Sequence, residues 1–206
     1  MAEPLLKKEF YNREEYLEME AESPYKSEYY SGEIFAMSGG TPAHSILCFN
    51  LIGELRDAVR KKNCTGFESN MKLEIPAADA FVYPDIMVVC GEIRLAENTR
   101  DVITNPVLII EVLSPGTESF DRGKKFEYYR SIPSLKEYVL VSQEKQIVEV
   151  YFRQERGTWL YTVAQGLDKT ILLNSIEYEI ALKDIYHKVT SNVEVTSNSR
   201  QDIVKL

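Results

Sequence analysis

The sequence predicts an α/β or α+β fold with a mixed β-sheet flanked by helices, and three observations support this. Residues 107–142 read as strand, helix, strand, the pattern of a parallel crossover. Strand hairpins stand on either side of that unit, which argues against a doubly wound sheet. Neither GxGxxG nor GxxxxGKS/T occurs, so a nucleotide-cofactor fold has no support.

The elements follow in order. "NREEYLEMEAES" (12–23) predicts a helix capped by Asn12, with Tyr16, Leu17 and Met19 as a partial apolar face. "YKSEYYSGEIFAMSGG" (25–40) predicts two strands around a Ser31-Gly32 turn. "TPAHSILCFNLIGELRDAVRKKN" (41–63) has Thr41 to cap and Pro42 for the first helical position. Its Ile46, Leu47, Leu51, Leu55, Ala58 and Val59 form a stripe at helical spacing, and Lys61 and Lys62 suit the C-terminal end of the dipole. Strands are expected at 65–69, 71–75 and 85–90, then a loop over about 92–105 and a strand at 107–113. A helix from about Asp121 to Arg130 is closed by Pro133. Strands at 136–142, 146–153, 158–164 and 170–173 and a short "LKDIYHKV" helix complete a domain spanning 1–189. Residues 190–206 are polar and aperiodic, as in a weakly ordered tail.

Composition narrows the function classes. Of 206 residues, 44% are hydrophobic and 27% charged, an ordinary globular balance. No apolar run approaches the ~20 residues of a membrane span, and "MAEPLLKKEF" lacks a signal-peptide core, so a cytoplasmic protein is expected. Cys48, Cys64 and Cys90 lack CxxC spacing and are expected as buried reduced thiols. A net charge of −8 counts against a broad nucleic-acid-binding face, though not against a small basic rim around an acidic pocket.

Glu111 interrupts an apolar strand, and an ionised carboxylate there is costly unless paired, hydrogen-bonded or metal-bound. Asp85 likewise opens an apolar run, after a proline that suits a strand start. Two such acids on neighbouring strands can share a proton or a cation, and hard oxygen ligands suit Mg²⁺ or Mn²⁺. The alternative is that Asp85 caps a turn and Glu111 pairs with a lysine. Downstream, Asp121, Lys125 and Tyr129 recur at i,i+4 on one helix face. They form either a surface ion pair or a lysine directed back at the carboxylates, with Tyr129 serving as packing.

The pattern "PD…EVLSP…D…K…Y…EY" resembles the Uma-two family of restriction-endonuclease-like proteins, bacterial members of the PD-(D/E)XK nuclease superfamily. The likeness runs over roughly 10–187 through "SEYYSGEIFAMSGGTPAHS", "YPDIMVV", "PVLIIEVLSPGTESFDRGKKFEYYRSIPSLKEYVLV" and "VEVYFR". It implies a restriction-endonuclease-like core and metal-dependent hydrolysis of DNA. Asp85 and Glu111 would ligate Mg²⁺ or Mn²⁺, with the Val112 carbonyl as a further ligand. The superfamily lysine two positions after the glutamate is here Leu113, and the resemblance makes Lys125 its substitute. Glu28 would be a third ligand or orient a water, or else an exposed hairpin residue. His44 would position substrate or an acid as neutral imidazole, or else bond to the backbone at its helix start. A homodimer would suit two cuts. The rival class is a nuclease-fold binding or assembly module without physiological cleavage. A two-carboxylate glycosidase fits poorly, because paired acids beside a helix lysine do not flank a sugar cleft.

Overall fold

The computed structural model describes residues 10–37 and 39–189. Residues 190–206, expected as a tail, lie outside the described residues. A capping box starts α1 (Arg13–Glu22): Asn12 accepts from the Glu15 N–H, and Glu15 accepts from the Asn12 N–H. Glu20, not Met19, is buried on this helix. Its carboxylate accepts from the Ser27 N–H and hydroxyl and from the Tyr83 hydroxyl, which offsets its burial.

Strands β1 (Ser27–Tyr30) and β2 (Glu33–Ala36) form the expected hairpin. Gly32 turns it at φ +98°, a conformation that other residues adopt under strain, and an added Cβ would come 2.8 Å from Phe10 Cδ1. Gly32→Ala should therefore destabilise the fold by about 1–3 kcal/mol in urea unfolding.

Thr41 caps α2 (Pro42–Lys61), which buries Leu47, Leu51, Leu55, Ala58 and Val59. Then come β3 (Cys64–Glu68), β4 (Lys72–Ile75), β5 (Ala80–Val82), β6 (Ile86–Cys90), β7 (Val102–Ile103) and β8 (Leu108–Leu113). Next, α3 (Glu118–Phe120), a π-helical turn (Asp121–Lys125) and α4 (Phe126–Tyr129) run on without a break. The chain continues with β9 (Glu137–Ser142), β10 (Ile147–Arg153), β11 (Trp159–Gln165), β12 (Thr170–Leu173), β13 (Tyr178–Ala181) and α5 (Leu182–Ile185).

The central sheet has the order β11-β10-β9-β8-β6-β3, antiparallel except for the expected parallel β8–β9 pair. A second sheet, β2-β1-β5-β4-β7, is antiparallel except at β4–β7, and β12–β13 form a separate hairpin. This is the mixed-sheet α/β architecture that the sequence predicts.

Strand alternation divides the core. Leu108, Ile110 and Val112 of β8 pack with α2, α5 and the β12–β13 hairpin. Ile109 and Leu113 pack on the other side with β4, β5 and Tyr129. Glu111 lies between those two residues, so its side chain faces the second core. A further layer stacks Tyr16 on Tyr29 and Phe81, between α1 and the second sheet.

The structure corrects three expectations. Cys64 and Cys90 form a disulfide, because the β3–β6 register sets them directly opposite each other. Only Cys48 remains a free thiol among the described residues. The helix after β8 begins at Glu118 and passes through a π-turn, where a regular helix from Asp121 was expected. The closing helix ends at Ile185.

Candidate active site

The chain leaves β5 in one sheet and enters β6 in the other through Tyr83-Pro84-Asp85. Pro84 has no N–H to continue a ladder, which suits this crossing. Asp85 therefore arrives at the start of β6, and the Ile86–Ile110 register continued by one residue sets it opposite Glu111. The Asp85 N–H lies 3.4 Å from Glu111 Oε2, and Asp85 Oδ2 accepts from the Val112 N–H at 2.8 Å. The two acids share one end of the sheet.

Glu111 is 4% exposed. Its Oε1 accepts from the Tyr129 hydroxyl at 2.6 Å and lies 2.9 Å from Lys125 Nζ. Lys125 is buried as well, with Nζ 3.5 Å from Glu28 Oε1 and 3.7 Å from Asp121 Oδ1. Glu28 comes in from β1, held by the Tyr83 N–H and the Tyr30 hydroxyl. The exposed hairpin position and the surface ion pair, both open from sequence, are not what the fold forms. Leu113 is packed into the second core, and the ammonium beside Glu111 comes from the helix.

The π-turn occupies Asp121–Lys125 and buries both of its end residues. Such turns insert a residue into a helix and rotate the faces of the next turns. Tyr129, one turn later, then reaches Glu111, a contact beyond the packing role expected of it.

His44 is set by the α2 cap, where its N–H donates to Thr41 Oγ1. Its Nε2 lies 3.2 Å from Asp85 Oδ2 and its Nδ1 3.7 Å from Cys48 Sγ. Gln143, which no sequence signal singles out, donates to the Leu113 carbonyl and accepts from Thr41 Oγ1. It thereby ties the end of β8 to the start of α2. No periodicity points to it, since it lies just past β9 in a turn.

The electrostatics follow from burial. Desolvation, reinforced by Asp85 and Asp121, raises the Glu111 carboxyl to about 8 against the pull of Lys125 and the Tyr129 hydrogen bond. Desolvation raises Asp121 also. Burial would lower Lys125, but Glu111 and Glu28 more than offset it and hold the ammonium charged. The Asp85 hydrogen bond, with Cys48 adding to it, raises His44 to about 10. The imidazolium is thus favoured here, whereas the resemblance implied the neutral ring.

Carboxylates of Asp85, Glu111, Glu28 and Asp121 thus face Lys125 and His44. This is a surplus of hard oxygen donors over positive charge. Asp85 and Glu111 supply oxygen donors of the kind a hard divalent cation takes. For Val112, the atom tied to Asp85 is the N–H.

Three comparisons with known proteins bear on this site. The family described as "Uma2: Putative restriction endonuclease" matches residues 13–183. "Uncharacterized protein sll1609" of Synechocystis sp. (strain ATCC 27184 / PCC 6803 / Kazusa) is 38% identical over 152 residues, 74% of this chain and 86% of that protein. "Uncharacterized protein slr1290" of the same organism is 36% identical over 173 residues, 84% of this chain and 90% of its own length. Among solved structures, a "putative nuclease belonging to DUF820" from Anabaena variabilis ATCC 29413 superposes with a TM-score of 0.70 at 21% identity. That match covers 85% of this chain and 97% of the other, and it shows a shared fold.

Proposed function

The chain belongs to the Uma2 family, and from that premise we propose that it is a divalent-metal-dependent endonuclease that hydrolyses DNA phosphodiester bonds. One observation carries the proposal: a buried lysine from a helix meets the buried glutamate of a strand at 2.9 Å, beside an aspartate that opens the neighbouring strand.

Asp85 and Glu111 would hold Mg²⁺ or Mn²⁺, with the Val112 carbonyl as a further oxygen donor, while Glu28 pairs with Lys125. When bound, such an ion polarises a phosphoryl oxygen and lowers the pKa of a coordinated water. The protein's own groups do the rest. Lys125 supplies a fixed positive charge where the phosphorane gains negative charge. Tyr129 orients Glu111, and His44 and the Val112 N–H orient Asp85.

The charge distribution sets the expected DNA affinity. Arg122 is engaged by Glu118 and Glu149, Lys124 by Glu127, and Lys62 by Glu177. These three are spent within the protein, and with a net charge of −8 binding should be weak and, if few phosphates are contacted, only shallowly salt-dependent.

The test is nicking of supercoiled DNA in Mg²⁺ or Mn²⁺. Wild type should nick, and Asp85→Ala and Glu111→Ala should each lose about 10²–10³-fold or more of the rate. Metal binding without cleavage of any DNA form would instead favour a nuclease-fold binding module.

A further inference from the structure

Cys48 takes no part in the proposed cleavage, yet it lies beside it. His44 and Cys48 are four residues apart on α2, so one helix face presents both. Asp85 meets them from the start of β6. One ligand atom from each of the three lies within 4.8 Å of the other two. All three side chains are partly buried, and two are fixed independently of any ion: the α2 cap fixes the His44 backbone, and the Val112 N–H holds Asp85 Oδ2.

Imidazole, thiol and carboxylate together make a different donor set from the oxygen-only group around Glu111. Hard ions such as Mg²⁺ gain little from sulfur, whereas Zn²⁺ and Co²⁺ favour a nitrogen and a thiolate. We propose that His44, Cys48 and Asp85 form a second cation site, selective for zinc-class ions, with the fourth position open to water. Binding there releases the Cys48 and imidazole protons to solvent. Asp85 belongs to both donor sets, so an ion at this site draws that carboxylate away from the one opposite Glu111. On the nuclease reading, and only on that reading, zinc would then antagonise Mg²⁺-dependent cleavage.

Cobalt titration of the full-length, disulfide-intact protein tests the site without reference to activity. Wild type should bind Co²⁺ with a thiolate-to-cobalt charge-transfer band and the intense visible bands of a four-coordinate ion, and Zn²⁺ should bleach both. Cys48→Ser should lose the charge-transfer band, while Glu111→Gln should keep it. The absence of a thiolate band in wild type would overturn the site, as would a band that persists in Cys48→Ser. Circular dichroism of Cys48→Ser, checked against wild type, shows that any lost band comes from the ligand and not from unfolding; Cys48→Ala serves if the serine does not fold. A normal band in a protein that nicks no DNA would leave the site standing and fail the nuclease reading.

Discussion

Lys125→Met should lose about 3–5 kcal/mol of stability and nearly all metal-dependent nicking. The buried ammonium is the shared cation for Glu111, Glu28 and Asp121, at 2.9, 3.5 and 3.7 Å. Removing one partner of a buried ion pair strands the other, and that penalty is several-fold larger than the value of a surface pair. Here the loss strands a cluster of acids, Glu111 being already raised to about 8. They would respond by taking up protons. Urea unfolding measures the loss. Above about pH 8, where the folded Glu111 is ionised, pairing Lys125→Met with Glu111→Gln should recover part of it, because the stranded charge is removed too.

Mn²⁺ separates structure from catalysis in the same variant. A divalent ion can replace the lost positive charge, so Mn²⁺ should stabilise Lys125→Met more than wild type. Nicking should nevertheless stay low, because the ammonium facing the phosphorane is gone. Full recovery of nicking with Mn²⁺ would reduce Lys125 to a charge balance for the acids around it.

Most of the frame around this cluster was legible. The Thr41-Pro42 start and the apolar stripe of α2 come directly from local chemistry and period. The parallel β8–β9 pair follows from strand, helix and strand in succession, because a parallel neighbour needs a crossover. Asp85 and Glu111 stand out because each is an acid in an apolar run, whatever the fold. Other features depend on distant parts of the chain meeting. The Cys64–Cys90 bond depends on the register between two strands, which no Cys spacing encodes. Strands β5 and β7 are short enough that their pairing is decided by the sheet and not by propensity. The π-turn leaves no periodic signal, yet it helps set where Lys125 and Tyr129 point. Glu20 reads as a solvent residue until Ser27 and Tyr83 supply its hydrogen bonds.

The second large effect concerns pH. In the absence of a divalent ion, Glu111→Gln should become progressively more stable relative to wild type as pH rises from about 5 to about 8. The carboxyl has an ordinary value of 4.5 and is raised to about 8 in the folded protein. Across that window the unfolded chain is ionised at this position while the folded chain keeps its proton. The native state binds more protons there, so wild-type stability falls as pH rises and levels off once the folded group has also ionised. Glutamine has no proton to lose, so the variant lacks this slope. Taking the difference between the two proteins cancels Glu137, whose carboxyl burial also raises. Melting curves at several pH values measure it, and the difference should grow by several degrees, about 5 °C in order of magnitude. A divalent ion should reverse the trend in wild type, because it binds the ionised carboxylate: the melting shift on adding Mn²⁺ should be larger at pH 8 than at pH 6. The variant should show a much smaller shift at both. A flat difference between the two proteins would mean that Glu111 is already ionised at pH 5, with Lys125 outweighing burial, and the pocket would then have little unmet demand for a cation.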